Sequence, residues 1–394
     1  MIARRIQVYT VRDLGATTGV ALALCAASLG SVQKYTGTEA ALVLLACSPV
    51  LAVGIRALLD VTQRLTVRQA DALAIAIYVV MAVAFVAIYP HANTHVPGHG
   101  SDRDDAANIG ARGFLDGRNP YGEQTYLGGP ISQLPGLLMF AIPFFRLFGS
   151  SAYQLLLWVP LGYLLLRSVS RGPRVALALA LCALACPAFL REYLTGGDLI
   201  PNTIAVAGAS WLLYRFRGRL APMLLASAAL GIALSSRVNF LFVLIPLGAA
   251  LLREAGAVVA TRAIGATVAV FAALTVPFAL TSGGQQALNV SNKLSSFPGG
   301  SSLVLTVAAA LAMGLATVTK QWTMGVVYGQ AAVMQALFLV ALIINSSVES
   351  ARPDFSWLVS SYGVPTLLLT LLAAAHSLRR PITLGNENGT PSER

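Results

Sequence analysis

The stretch Asp71-Ala-Leu-Ala-Ile-Ala-Ile-Tyr-Val-Val-Met-Ala-Val-Ala-Phe-Val-Ala-Ile-Tyr-Pro90 carries one acid at its start and no charge after it. An α-helix rises about 1.5 Å per residue, so about 20 residues cover the ~30 Å hydrocarbon core of a bilayer. This block has that length. It is apolar on every side, which a helix tolerates in lipid or in a deep core. Across the chain, 56% of the 394 residues are hydrophobic and 11% are charged. A soluble domain carries about 25% charged residues. So few charges cannot cover the surface of a soluble chain of this size.

The same kind of block recurs throughout. Apolar helices are expected at 14–32, 39–59, 71–90, 133–148, 151–168, 174–190, 200–214, 220–236, 239–252, 257–281, 302–318, 322–346 and 356–377. Helices satisfy their own backbone groups in lipid, whereas a barrel needs short alternating segments. The expected fold is therefore all-α, a polytopic transmembrane bundle over residues 1–380, with a polar cytoplasmic tail at 381–394. Met1-Ile-Ala-Arg-Arg resembles the basic start of a signal peptide, yet further apolar blocks follow the first, so the first is read as a retained span.

Lys and Arg in short loops mark the cytoplasmic side. Basic residues cluster at Arg4/Arg5/Arg12, Arg56/Arg64/Arg68, Arg167/Arg171/Arg174, Arg215/Arg217/Arg219, Arg253/Arg262, Lys320 and Arg379/Arg380/Arg394. Placing all of these inside puts most of the acids outside. This separation accounts for the net charge of +11 without a nucleic-acid partner. Both termini then lie in the cytoplasm of a cell that carries the protein in its inner (plasma) membrane. One parity problem remains. Loop 91–132 is outside and Arg167/Arg171/Arg174 inside, although two apolar helices separate them. The block 133–148, with Pro135 and Pro143, is therefore expected to be re-entrant or horizontal. About twelve crossings close the count.

Loop 91–132 is the longest polar segment. Ser101 is the expected N-cap of a short amphipathic helix on the outer face, with Asp102, Asp104 and Asp105 at its first turn. Ala106, Ile109, Gly113 and Phe114 recur at helical spacing, Gly117 ends the helix and Asn119-Pro120 begins a turn. The acids read either as a dipole-matched helix start or as a catalytic carboxylate beside a lipid headgroup. They also offer oxygen ligands for a divalent cation, although no cofactor is required.

Asp102, followed by Phe114-Leu115-Asp116-Gly117-Arg118-Asn119-Pro120-Tyr121, resembles the first outer loop of GT-C-type glycosyltransferases. The closest similarity is to bacterial mannosyltransferase-like members whose loop reads D…G-x-N-P-Y. Pro130-Ile131-Ser132-Gln133-Leu134-Pro135-Gly136 resembles the start of their next helix. The resemblance covers about 45 residues, and beyond it only hydropathy agrees. Three spans precede the loop here rather than one, and Ala106 and Ala107 stand where an aromatic residue is usual. The resemblance implies a polyprenyl-phosphate-linked sugar donor, transfer with inversion, and an extracytoplasmic lipid, glycan or protein acceptor. It implies that Asp102 is the base, with Asp104 and Asp105 as alternatives. It also implies a second acid, for which Asp198 and Glu192 are the candidates in the loop 191–198. Asn119 and Tyr121 of the loop motif join the substrate-binding residues.

Other polar residues complete the candidate set. Arg237 shows no nearby acid in sequence and is suited to clamp the donor phosphate or to snorkel. Lys293 is a second phosphate candidate. His91, His95 and His99 share a spacing of four, but Pro97 and two glycines interrupt it, which argues against a metal site. Tyr121 and Trp322 also read as interfacial anchors. Cys25, Cys47, Cys182 and Cys186 all sit in apolar blocks as small core residues, the last two on one helix face. Two other functions remain open: a transporter or lipid flippase, which would show charges within its spans, and a non-catalytic scaffold.

Overall fold

The computed structural model of the protein describes residues 11–94, 96, 101–170, 172–281, 307, 310–311, 313–355 and 361–378. The tail 381–394, Lys293, His95, His99 and part of the block 302–318 lie outside the described residues. Among the described residues the regular structure is helical, with one isolated bridge between Gln124 and Pro130.

The first four helices are α1 (Val11–Thr36), α2 (Thr38–Ala46), α3 (Ser48–Gln63) and α4 (Val67–Ala92). α1 is packed inside the bundle, against α2, α3 and a helix near the C-terminus. The span expected at 39–59 is two helices bent by 55°. The break falls at Cys47, and Pro49 opens α3. Cys47 is exposed there rather than in the core. Thr66 and Gln69 close a reciprocal capping box at the start of α4, satisfying two of the N–H groups a helix start leaves free. Only 11% of the apolar window of α4 is buried. Val79, Val80, Val83 and Val86 are exposed, so this helix faces lipid with most of its surface.

The outer loop contains α5 (Arg103–Leu115) and a 3-10 turn at Pro120–Gly122. α5 ends in a full Schellman motif. Arg118 N–H bonds Gly113 O at 2.7 Å, Gly117 N–H bonds Phe114 O at 3.2 Å, and Gly117 takes φ 67°. α6 (Pro135–Phe148) follows. Its 14 residues span about 21 Å, less than the ~30 Å of a hydrocarbon core. After the 3-10 turn Ser151–Gln154 comes α7 (Leu155–Val169).

The span expected at 174–190 is again two helices, α8 (Pro173–Leu184) and α9 (Pro187–Leu194), bent by 80°. Pro187 lacks the N–H needed to continue α8, and Cys186 before it is extended, as the residue preceding proline prefers. Cys182 and Cys186 therefore do not share one continuous helix face. α10 (Leu199–Arg215) and α11 (Leu220–Leu234) form the buried centre. The 3-10 turn Val238–Val243, α12 (Leu244–Ala255), α13 (Ala257–Ala279), α14 (Met324–Ser350) and α15 (Gly363–Ser377) follow. α15 packs on α1, α10 and α14.

Among the described residues, six helices are long and apolar enough to cross a membrane, or up to eight if each bent pair makes one span. The protein is an all-helical membrane protein on this evidence. α6, α11 and α15 are apolar but shorter.

Candidate functional site

α5 is fixed to the bundle by its small residues. Ala106, Ala107, Gly110 and Ala111 are buried. A Cβ at Gly110 would overlap the Leu138 side chain of α6, so glycine lets the two helices close. Ala106 also joins a cluster with Tyr121, Ile131 and Leu138. The amphipathic spacing thus buries this face, and the first turn of α5 carries the charged residues.

The three aspartates go to three different places. Asp102, not Ser101, occupies the N-cap position, and its carboxylate makes no capping bond. Instead it accepts from Thr125 Oγ1 at 2.9 Å and stays partly exposed. The reason is Asn93, which exchanges bonds with the Ser101 backbone and holds the chain one residue short of the expected cap. Asp104 is 1% exposed. It accepts from Tyr89 Oη at 2.5 Å and Asn93 Nδ2 at 2.6 Å, which ties the loop to the end of α4. Asp105 accepts from the Tyr126 backbone N–H at 2.9 Å. Burial, then the negative charge of Asp102, Asp104 and Asp105, pushes the Tyr126 phenol pKa up, a sign of negative potential at this rim. Among the described residues no three acids, histidines or cysteines converge as a metal site would require.

Directly beside Asp102, Arg103 turns inward. It is 8% exposed and gives Nη1 to both carboxylate oxygens of Glu192, at 3.1 and 3.2 Å. Its guanidinium also lies 4.8 Å from the ring centroid of Tyr362 and 3.8 Å from Asp198 Oδ1. Asp198 in turn binds Arg237 through both oxygens, Nε to Oδ2 at 2.7 Å and Nη2 to Oδ1 at 3.0 Å. Sequence offered no acid for Arg237, and the structure corrects this, because the partner lies 39 residues away and meets it only in the fold. Burial alone would raise the Asp198 pKa, but the Arg237 and Arg103 guanidiniums outweigh it and hold the carboxyl below its ordinary value.

Two arginines and two carboxyl groups therefore make a buried quartet, in which burial outweighs Arg103 and pushes the Glu192 pKa up. Such a group is costly to desolvate and damaging to break by removing one member. Local structure makes it possible. Glu192 is on α9 rather than in a loop, and its Oε1 also accepts the first N–H of α10, from Leu199, at 2.8 Å. Two carboxylates then sit at the positive end of α10. A Cβ at Gly197 would overlap the Glu192 carboxylate. Only glycine leaves that space.

Other expected residues take structural places. Asn119 caps the 3-10 turn by accepting Tyr121 N–H at 3.1 Å. Tyr121 is 3% exposed and donates its hydroxyl to Gln133 O at 3.0 Å, so it is a buried tie and not an interfacial anchor. Gln133 Nε2 passes the connection on to Arg103 O at 3.1 Å. Trp322 is likewise buried, at 4% exposure. His91 is exposed at the end of α4.

Arg103, Tyr89, Asn93, Thr125 and Tyr362 were not expected as site residues. The one sequence signal for Arg103 was a cation set between acids in a loop read as outside. Comparison with known proteins returns nothing: no family model, no curated protein and no solved structure matches this chain.

Proposed function

We propose that the protein is a membrane glycosyltransferase that uses a polyprenyl-phosphate-linked sugar, with Asp102 as the base. The carrying observation is the presentation of Asp102. It is partly exposed and held by Thr125, while the next residues on its C-terminal side, Arg103 and Asp104, are buried and pinned. A reactive group held by a rigid supporting shell is what positioning catalysis needs. Asp104 and Asp105 serve the shell through Tyr89, Asn93 and Tyr126.

In this mechanism Asp102 takes the proton of the acceptor hydroxyl as that oxygen attacks the sugar's anomeric carbon. The bond to the lipid phosphate breaks on the opposite face, giving inversion. The leaving phosphate needs a positive partner. Arg237 has Nε and Nη2 on Asp198, with Nη1 toward Ser132 at 3.4 Å. Nη1 and Lys293 are the proposed phosphate donors. Asn119 and Tyr121 shape the loop beneath the acceptor. The chain crosses the plasma membrane about twelve times, with α6 not crossing, both termini cytoplasmic and the Asp102 rim outside. The acceptor is an extracytoplasmic lipid, glycan or protein.

The test is transfer by the purified protein from a panel of synthetic polyprenyl-phosphate sugars. Loss of a general base costs about 10²–10⁴-fold, so Asp102→Asn falls by that factor while its melting curve stays with wild type. Full activity of Asp102→Asn sinks the assignment. Buried charges in a bundle also suit a transporter. Solute flux in liposomes, without transfer from any donor, would favour that second reading.

A further inference from the structure

A second feature lies at the opposite end of α4 from the acidic loop. An apolar groove of about 280 Å³ runs between α4, α7, α8, α9, α10 and α15. Its walls include Tyr78 and Met81 of α4, Leu164 of α7, Leu184 of α8, Phe189 of α9 and Leu371 of α15. Leu164 and the neighbouring wall residue Ile75 are 49% and 64% exposed, so the groove opens toward lipid. From Asp71 to Met81 it follows α4 for about 15 Å, which is half of the ~30 Å hydrocarbon core. The groove is therefore as deep as one leaflet.

The end of the groove near the start of α4 is polar. Arg167 Nη2 meets Asp71 Oδ2 at 3.1 Å, and the two side chains are 44% and 26% exposed. Asp71 Oδ1 is buried without a hydrogen-bond partner, and so is the Tyr163 hydroxyl. All three residues line the groove. Buried polar atoms left unsatisfied cost free energy, so a ligand that satisfies them gains it. The required ligand offers an N–H donor to Asp71, an oxyanion to Arg167 and an acyl chain to the groove. The Asp71–Arg167 pair is neutral overall, and so is its complement.

We propose that this groove is a specific site for phosphatidylethanolamine-type lipid. The ammonium binds the Asp71 carboxylate, which is 26% exposed, the phosphate binds Arg167, and one acyl chain lies between α4 and α8. Arg64, Arg68 and Arg167 place this end on the side that the charge distribution marks as cytoplasmic. The site is thus separate from the Asp102 rim, in the other leaflet.

Native mass spectrometry on the purified full-length protein tests this, with equimolar phosphatidylethanolamine, phosphatidylglycerol and phosphatidylcholine of matched chains. Phosphatidylcholine has the charges but no N–H, and phosphatidylglycerol has hydroxyl donors but a net negative charge. A charge-assisted hydrogen bond corresponds to about a tenfold preference. The expected result is phosphatidylethanolamine retained about tenfold over phosphatidylcholine, with the preference abolished in Asp71→Asn and kept in Asp71→Glu. Ala180→Phe, which fills the groove, loses all three lipids. Equal retention of the three by wild type, preference for phosphatidylglycerol, or an unchanged preference in a folded Asp71→Asn overturns the proposal. If Asp71→Asn does not fold, wild-type retention by Ala180→Phe overturns it instead.

Discussion

At the scale of single residues, the buried quartet sets the sharpest expectations. Arg237→Ala leaves Asp198 buried without its bidentate partner. Breaking a buried pair in this way costs about 3–5 kcal/mol, so thermal unfolding in detergent moves to clearly lower temperature. An unchanged melting curve would mean that the pair is solvated in the working protein. The same pair fixes a pH dependence. The Asp198 pKa is lowered in the folded state, so its contribution to stability is complete above the unfolded value of about 3.9. That contribution is lost as pH falls from there through the folded pKa. The Asp198 contribution has no slope between pH 7 and 5 and falls below about pH 4, less steeply in Arg237→Gln, while Glu192, whose pKa burial raises, adds a slope of the opposite sign above about pH 4. This network was half legible. Glu192 and Asp198 are singled out as the second acid that the resemblance implies, and Arg237 as a cation with no acid near it in sequence. Their pairing is not, because partners 39 and 89 residues apart leave no local spacing to read.

At the scale of elements, two close approaches decide how the site is held. A Cβ at Gly136, at the start of α6, would overlap Ile232 O and lie 2.6 Å from Ser235 O of the α11 end. Backbone cannot yield as a side-chain tip does. Gly136→Ala therefore costs about 1–3 kcal/mol from overpacking and shifts α6, with α5 riding on it. The check is a lowered melting temperature together with faster proteolysis between residues 116 and 130. In the turn from α9 to α10, Gly197→Ala displaces the Glu192 carboxylate and with it the support of Arg103. Its signature is reduced transfer with less loss of stability than Arg237→Ala. Hydropathy located these helices but not their breaks. Length and apolarity are sums over a window, whereas the bend at Cys186 falls directly before Pro187 and the one at Cys47 falls two residues before Pro49. The α5 helix was read from its spacing and found within a residue of its expected start. Its true start was decided by Asn93 holding Ser101, a contact made from another helix.

At the scale of the whole molecule, topology is the open quantity that charge can predict. Arg118 and Arg64 are both exposed and lie at opposite ends of α4. In a Cys47→Ser background, Arg118→Cys is expected to react with an impermeant thiol reagent in intact cells. Arg64→Cys is expected to react only after permeabilisation. The reverse pattern would invert the molecule and move the Asp102 rim inside. By itself the sequence determined the solvent and the fold class, because blocks of about 20 apolar residues with few charges have no other stable home than lipid. It also marked where polar chemistry gathers, in the loop at 91–132 and the turn at 191–198. The tertiary structure decided which of those polar groups are structural and which face outward. Ion pairing and burial depend on distances between segments far apart in the chain, so only the packed helices could turn Arg103 inward, lock Asp104 and leave Asp102 at the rim.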